Sequence, residues 1–138
     1  MTMRVEPFSY PAAPSRIAAT SGWVMSGLVT LFMLQDAAIK LIGPDGAKSA
    51  TQDLGYPIDQ LTILGLVLLA CTVLYAVPRT ALLGAILLTG YLGGAVAINA
   101  RIESGWLLFP VALGVLAWVG LALRDRRVNQ LLRSMIDA

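Results

Sequence analysis

The sequence predicts an all-α integral membrane protein, a four-helix transmembrane bundle, and three observations carry that reading. Residues 61 to 99 run for thirty-nine positions with one charge, Arg79, which follows Pro78 directly. At a rise of about 1.5 Å per residue, one helix of that length would reach roughly 58 Å, twice a hydrocarbon core of about 30 Å. Two antiparallel helices joined at Pro78-Arg79 fit instead, because proline breaks the hydrogen-bond ladder and arginine favours the headgroup layer. Composition agrees: the 138-residue chain is 57% hydrophobic and 13% charged, with a mean hydropathy of +0.76, above that of soluble domains. Two further apolar runs, Ile17 to Leu34 and Trp106 to Leu123, are each long enough to cross.

The elements follow in order. Residues 1–16 hold Pro7, Pro11 and Pro14 among polar residues and read as a flexible tail. The first span, 17–42, continues through Gln35-Asp36 as a retained helix and stops at Gly43-Pro44; a cleaved signal peptide would have a shorter apolar core and a small-residue cleavage site. From Asp45 to Gln60 the chain is polar, and Ala47 to Leu54 is expected to form a short extracytoplasmic interfacial helix ended by Gly55 and Pro57. The second and third spans are 61–77 and 80–99. A turn over residues 101–105 leads to the fourth, 106–123, where Pro110 falls in the first turn and is tolerated. In the last segment, 124–138, Val128, Leu131, Leu132 and Met135 share one helical face beside arginines. That pattern reads as a cytoplasmic amphipathic helix on an anionic leaflet, with a frayed terminus as the alternative.

Four spans put both termini on one side. Arg4, Arg16, Arg79, Arg124, Arg126, Arg127 and Arg133 fall there, against Lys40, Lys48 and Arg101 opposite. The positive-inside rule then places both termini in the cytoplasm. The third span carries Gly84, Gly90, Gly93 and Gly94, and the spacing of Gly90 and Gly94 is the one that lets helix backbones touch in lipid. It is therefore expected to be the central, close-packed helix, with a homodimer seam as the competing use of the same stripe.

Composition excludes several classes of function. A net charge of +2 without a basic, aromatic-interleaved stripe does not indicate nucleic acid. Histidine is absent, which removes imidazole haem ligation, the usual zinc and copper sites, and the commonest general base. Cys71 is the single cysteine and lies in an apolar run, so no internal disulfide or CxxC pair exists. No resident metal is expected.

The remaining chemistry gathers at the extracytoplasmic end. Asp36 and Lys40 are four apart on one helical face, with the acid on the N-terminal side, the better order for an ion pair. They form either the polar floor of an outward-opening pocket or a salt bridge that ends the helix. Asn99 and Arg101 end the third span on the same side, and with Gln35, Tyr56 and Tyr91 they can surround one cavity mouth. Arg101 can equally snorkel to the headgroups. Asp36 and Tyr91 are the candidate proton-transfer groups, and the whole set is the candidate ligand site.

The stretch Leu66 to Tyr75, the Pro78-Arg79-Thr80-Ala81 turn and the run from Gly84 through Gly90-Tyr91-Leu92-Gly93-Gly94 to Ala97 closely resemble the DoxX-like family of bacterial four-span membrane proteins. Leu54-Gly55-Tyr56-Pro57, Asp36 with Lys40-Leu41, and Leu123-Arg124-Asp125 fit as well, so the resemblance covers about residues 20 to 127. It implies a four-helix bundle in the cytoplasmic (inner) membrane. It also implies association with membrane oxidoreductase complexes, such as those around thiosulfate:quinone oxidoreductase. Many members carry histidine where this chain has Asn99, and asparagine neither titrates nor ligates metal as imidazole does. The leading expectation is thus an auxiliary or anchoring subunit of a redox assembly, bound to other membrane subunits or to copies of itself. Alternatives are a site for a quinone, sterol-like or other apolar ligand, with isomerase or oxidoreductase activity through Asp36 and Tyr91, and a purely structural subunit packed on a larger membrane complex.

Overall fold

The computed structural model describes residues 15–138, so the segment read as an N-terminal tail lies outside the described residues except for Ser15 and Arg16. Among the described residues there are six helices: α1 (Arg16–Ile42), α2 (Asp45–Asp53), α3 (Asp59–Ala76), α4 (Ala81–Arg101), α5 (Leu108–Arg124) and α6 (Arg126–Ile136).

Local chemistry sets the boundaries. The Ser15 hydroxyl accepts from Ala18 N at 3.2 Å and caps α1. At the other end, Gly43 adopts φ 63°, and its N–H closes on Ile39 O at 2.9 Å. α2 ends in a Schellman motif, with Tyr56 N donating to Thr51 O (3.1 Å) and Gly55 N to Gln52 O (2.8 Å) around Gly55 at φ 82°. α4 runs past Asn99 to Arg101, and the Asn99 amide donates to Ala95 O at 2.8 Å, one turn back on its own helix. Asp125 separates α5 from α6, accepting from Arg127 N at 2.9 Å, and the two helices bend by 108°.

The four long helices form a ring in which α1 and α4 each pack on α3 and α5, while the diagonals barely meet. The core is filled by Val29, Met33 and Ala37 of α1, Leu68, Cys71 and Tyr75 of α3, Ala85, Leu88 and Leu92 of α4, and Leu113, Ala117 and Leu121 of α5. The outer faces are apolar too: Leu31 is 65% exposed, Ile63 60%, Ile86 53% and Val115 57%. Helices apolar on both faces suit lipid as solvent. α1, α3 and α4 are long and apolar enough to cross a membrane, and α5 makes a fourth span if it and the bent α6 count together.

The ring corrects one expectation. α4 holds a corner of the bundle, and its four-spaced glycines do not seat a neighbouring helix within the chain: a Cβ on Gly90, Gly93 or Gly94 would meet nothing within 4 Å. Close approach occurs elsewhere. A Cβ on Gly84 would collide with the backbone of Leu74 and Tyr75, and one on Gly22 would lie 2.7 Å from Arg124 N and 2.9 Å from Gly120 O. A Cβ on Gly120 would lie 2.8 Å from Ser26 Oγ. These contacts bring the start of α1, the α3–α4 turn and the end of α5 together at the arginine-bearing end. In lipid, such small-residue approaches hold helices by van der Waals contact.

Candidate functional site

At the opposite end of the bundle, α1, α2, α3 and α4 enclose a cavity of ≈340 Å³. α1 contributes Asp36 and Lys40 to its wall. The one-turn spacing stacks the two side chains, and Lys40 Nζ donates to Asp36 Oδ2 at 2.5 Å. The pair is only partly covered, 21% of the Lys40 side chain and 35% of Asp36 remaining accessible. One carboxylate oxygen and the remaining ammonium hydrogens are free for a guest.

α2 closes the cavity through Thr51, 6% exposed, whose hydroxyl is satisfied by Ala47 O at 2.7 Å, and through Leu54 just beyond its end. The Schellman turn then brings half-buried Tyr56 to the wall. Leu64 of α3 adds an apolar side. α4 supplies Tyr91, Ala95, Ile98 and Asn99, and between them Gly90 and Gly94, whose missing side chains leave the volume open. Here the absent side chains hollow out a chamber.

Five of the seven residues expected at a ligand site (Asp36, Lys40, Tyr56, Tyr91 and Asn99) line this one cavity. Gln35 and Arg101 do not. Gln35 is one residue from Asp36, about 100° around the helix, and is exposed; Arg101 is exposed in the last turn of α4. Thr51, Leu54, Leu64 and Ile98 were not anticipated. Thr51 had a signal, as the residue of the polar segment that a helix turns inward, whereas the others are ordinary apolar residues whose placement only packing decides.

The hydrogen-bond inventory fixes what the cavity can do. Among the described residues, neither the Tyr91 nor the Tyr56 hydroxyl has a side-chain or backbone partner. Asn99 spends its N–H on Ala95 O and keeps its carbonyl oxygen free. The site therefore offers hydroxyl and ammonium donors and carboxylate and amide acceptors around an apolar floor, the usual make-up of a small-molecule pocket. It holds no nucleophile paired with a base. Among the described residues no group of three His, Cys, Asp or Glu side chains is placed to hold a metal ion.

A second polar cluster, which the sequence reading did not single out, lies at the arginine-bearing end. The Tyr75 hydroxyl bonds Ser26 Oγ (3.0 Å) and donates to Ala117 O (2.8 Å), joining α3 to α1 and α5. Arg124 Nη2 donates to Tyr75 O at 2.7 Å, and its guanidinium lies 4.9 Å from the ring centres of both Trp23 and Tyr75. The four-residue spacing of Gly22 and Ser26 on α1 was the available signal for this contact.

A bundle of apolar-faced helices with one polar-lined chamber at its end defines a small multi-span membrane protein. The chain belongs to the DoxX-like family, whose model matches residues 24–120. No curated protein and no solved structure matches it.

Proposed function

We propose that this DoxX-like protein binds a small, largely apolar molecule with a polar carbonyl head, a quinone being the best-fitting class, in the cavity between α1, α2, α3 and α4. The observation that carries the reading is the convergence of Tyr91, Tyr56 and the Asp36–Lys40 pair on one chamber of ≈340 Å³, a volume in the range of small-ligand sites. The two free tyrosine hydroxyls and the Lys40 ammonium are suited to donate to carbonyl oxygens, and Leu54, Leu64 and Ile98 to cover a ring. Asp36 holds Lys40 in place and serves as the proton-exchanging group if turnover occurs.

The test uses purified full-length protein and a short-chain benzoquinone, with binding followed by titration calorimetry. Tyr91→Phe should weaken binding about fivefold, the effect of losing one hydrogen bond of about 1 kcal/mol. Gly94→Leu should abolish binding while the bundle still melts cooperatively, since the new side chain enters the open chamber. Unchanged affinity in both variants removes the proposal.

Service to a membrane redox assembly is the second reading. The observation favouring it is an apolar groove on the outer face of α4 and α5, lined by Gly93, Val96, Gly114 and Trp118, where a partner's transmembrane helix could approach closely. Recovery of a defined oxidoreductase subunit on gentle purification from native membranes supports it, and recovery of the chain alone counts against it.

A further inference from the structure

The arginine-bearing end carries a second concave site, separate from the chamber just described. Arg79 of the α3–α4 turn, Arg124 at the end of α5, and Arg126 and Arg127 at the start of α6 line one pocket of ≈310 Å³. The 108° bend between α5 and α6 folds the last two back toward the first. Four arginines thus share the pocket wall with one carboxylate, Asp125, which already accepts from Arg127 N. Among the described residues the two ion pairs are Lys40–Asp36 and Lys48–Asp45, so no described carboxylate pairs with any of these arginines. Arg124 is held by Tyr75 O and the two aromatic rings, whereas Arg79, Arg126 and Arg127 are exposed.

The start of α4 adds to the same field. Thr80 gives this helix no side-chain cap, its hydroxyl donating instead to Leu74 O at 2.8 Å, and Ala81 lies on the pocket wall. Uncapped first-turn amides favour an anion. The pocket sits where three apolar helices end, the level at which a bilayer presents its phosphates. Leu121 and the half-exposed Trp23 supply an apolar and an interfacial wall below the arginines.

We infer that this pocket is a binding site for the phosphodiester headgroup of an anionic phospholipid, with Arg79, Arg126 and Arg127 as the contacting cations and Arg124 as the fixed floor. Charge complementarity selects the lipid. Three exposed arginines gathered by a bend prefer phosphatidylglycerol to the zwitterionic phosphatidylcholine, at roughly fivefold in affinity for each cation near the surface.

Native mass spectrometry of the detergent-purified full chain, titrated with each of these two lipids, tests the site. Phosphatidylglycerol should be retained at least about tenfold better, and the triple variant Arg79→Gln, Arg126→Gln, Arg127→Gln should lose that preference. The corresponding triple lysine variant should recover most of it, because the attraction is one of charge. Benzoquinone binding at the opposite end serves as the fold control and stays unchanged in both variants; if the protein binds no quinone at all, its melting temperature takes that place. Equal retention of the two lipids overturns the inference, as does an unaffected glutamine variant or a lysine variant as deficient as the glutamine one. Full displacement of the lipid by millimolar inorganic phosphate also overturns it, in favour of a soluble anion.

Discussion

Tyr75 and Tyr91 sit on neighbouring helices of the same hairpin and have opposite uses. The first is fully buried with its hydroxyl tied to α1 and α5, and the second faces the chamber with its hydroxyl free. A satisfied buried hydroxyl is structural, and removing it should cost what interhelical hydrogen bonds cost in membranes. Tyr75→Phe is therefore expected to destabilise the bundle by about 1 kcal/mol in a denaturant titration, with no change in ligand affinity. The glycines of α4 divide the same way. Gly84→Ala places a methyl group against the backbone of α3 and should lower stability by about 2 kcal/mol or more. Gly90→Ala meets open space and should be neutral or stabilising by about 0.5–1 kcal/mol through helix propensity. Equal losses in the two alanine variants, read from their melting curves, would show that the chamber closes in solution. The sequence alone makes these glycines look alike, since spacing reveals a stripe but not which part of it faces a helix and which part faces a void.

At the scale of elements, the spans and most of the polar residues of the chamber were legible, and the closure of its wall by α2 was not. The unbroken apolar run interrupted at Pro78-Arg79 could only be a hairpin, and α3 and α4 are that hairpin. The ion-pair spacing of Asp36 and Lys40 was equally legible, because helix geometry alone stacks them. What periodicity could not supply is the course of α2. This short helix makes no broad interface with any other helix, yet Thr51 is buried and Leu54 and Tyr56 line the chamber. It is held at each end by a glycine with positive φ, Gly43 at 63° and Gly55 at 82°. Gly55→Ala is expected to strain the Schellman turn by about 1 kcal/mol and displace Tyr56. The measurement is the benzoquinone off-rate, expected to rise severalfold; an unchanged off-rate would mean that Tyr56 stays in place despite the strain.

At the scale of the molecule, the ring of four helices explains why the third span need not be central: each long helix has two neighbours and one face for lipid. Reading the glycines as a central seam assumed that close approach occurs along the whole of α4, whereas α4 makes it only at Gly84, against α3. The other close approaches, Gly22 with Gly120 between α1 and α5 and Gly65 of α3 against Lys40 and Leu41 of α1, do not involve α4. The aromatic contact of Phe32 with Phe109, 5.3 Å between ring centres, joins α1 to α5 away from the arginine-bearing end, and α4 is the least packed of the four long helices. The protein therefore resembles tweezers whose riveted joint is the Tyr75 knot and whose loose prong is the far half of α4. In nanodiscs, amide deuteration should be slowest around Leu82–Leu88 and fastest around Ala95–Arg101, and a captured quinone should slow only the latter. On the proposed quinone-binding reading, a guest enters sideways from the bilayer by a small swing of one prong, with no unfolding of the rivet.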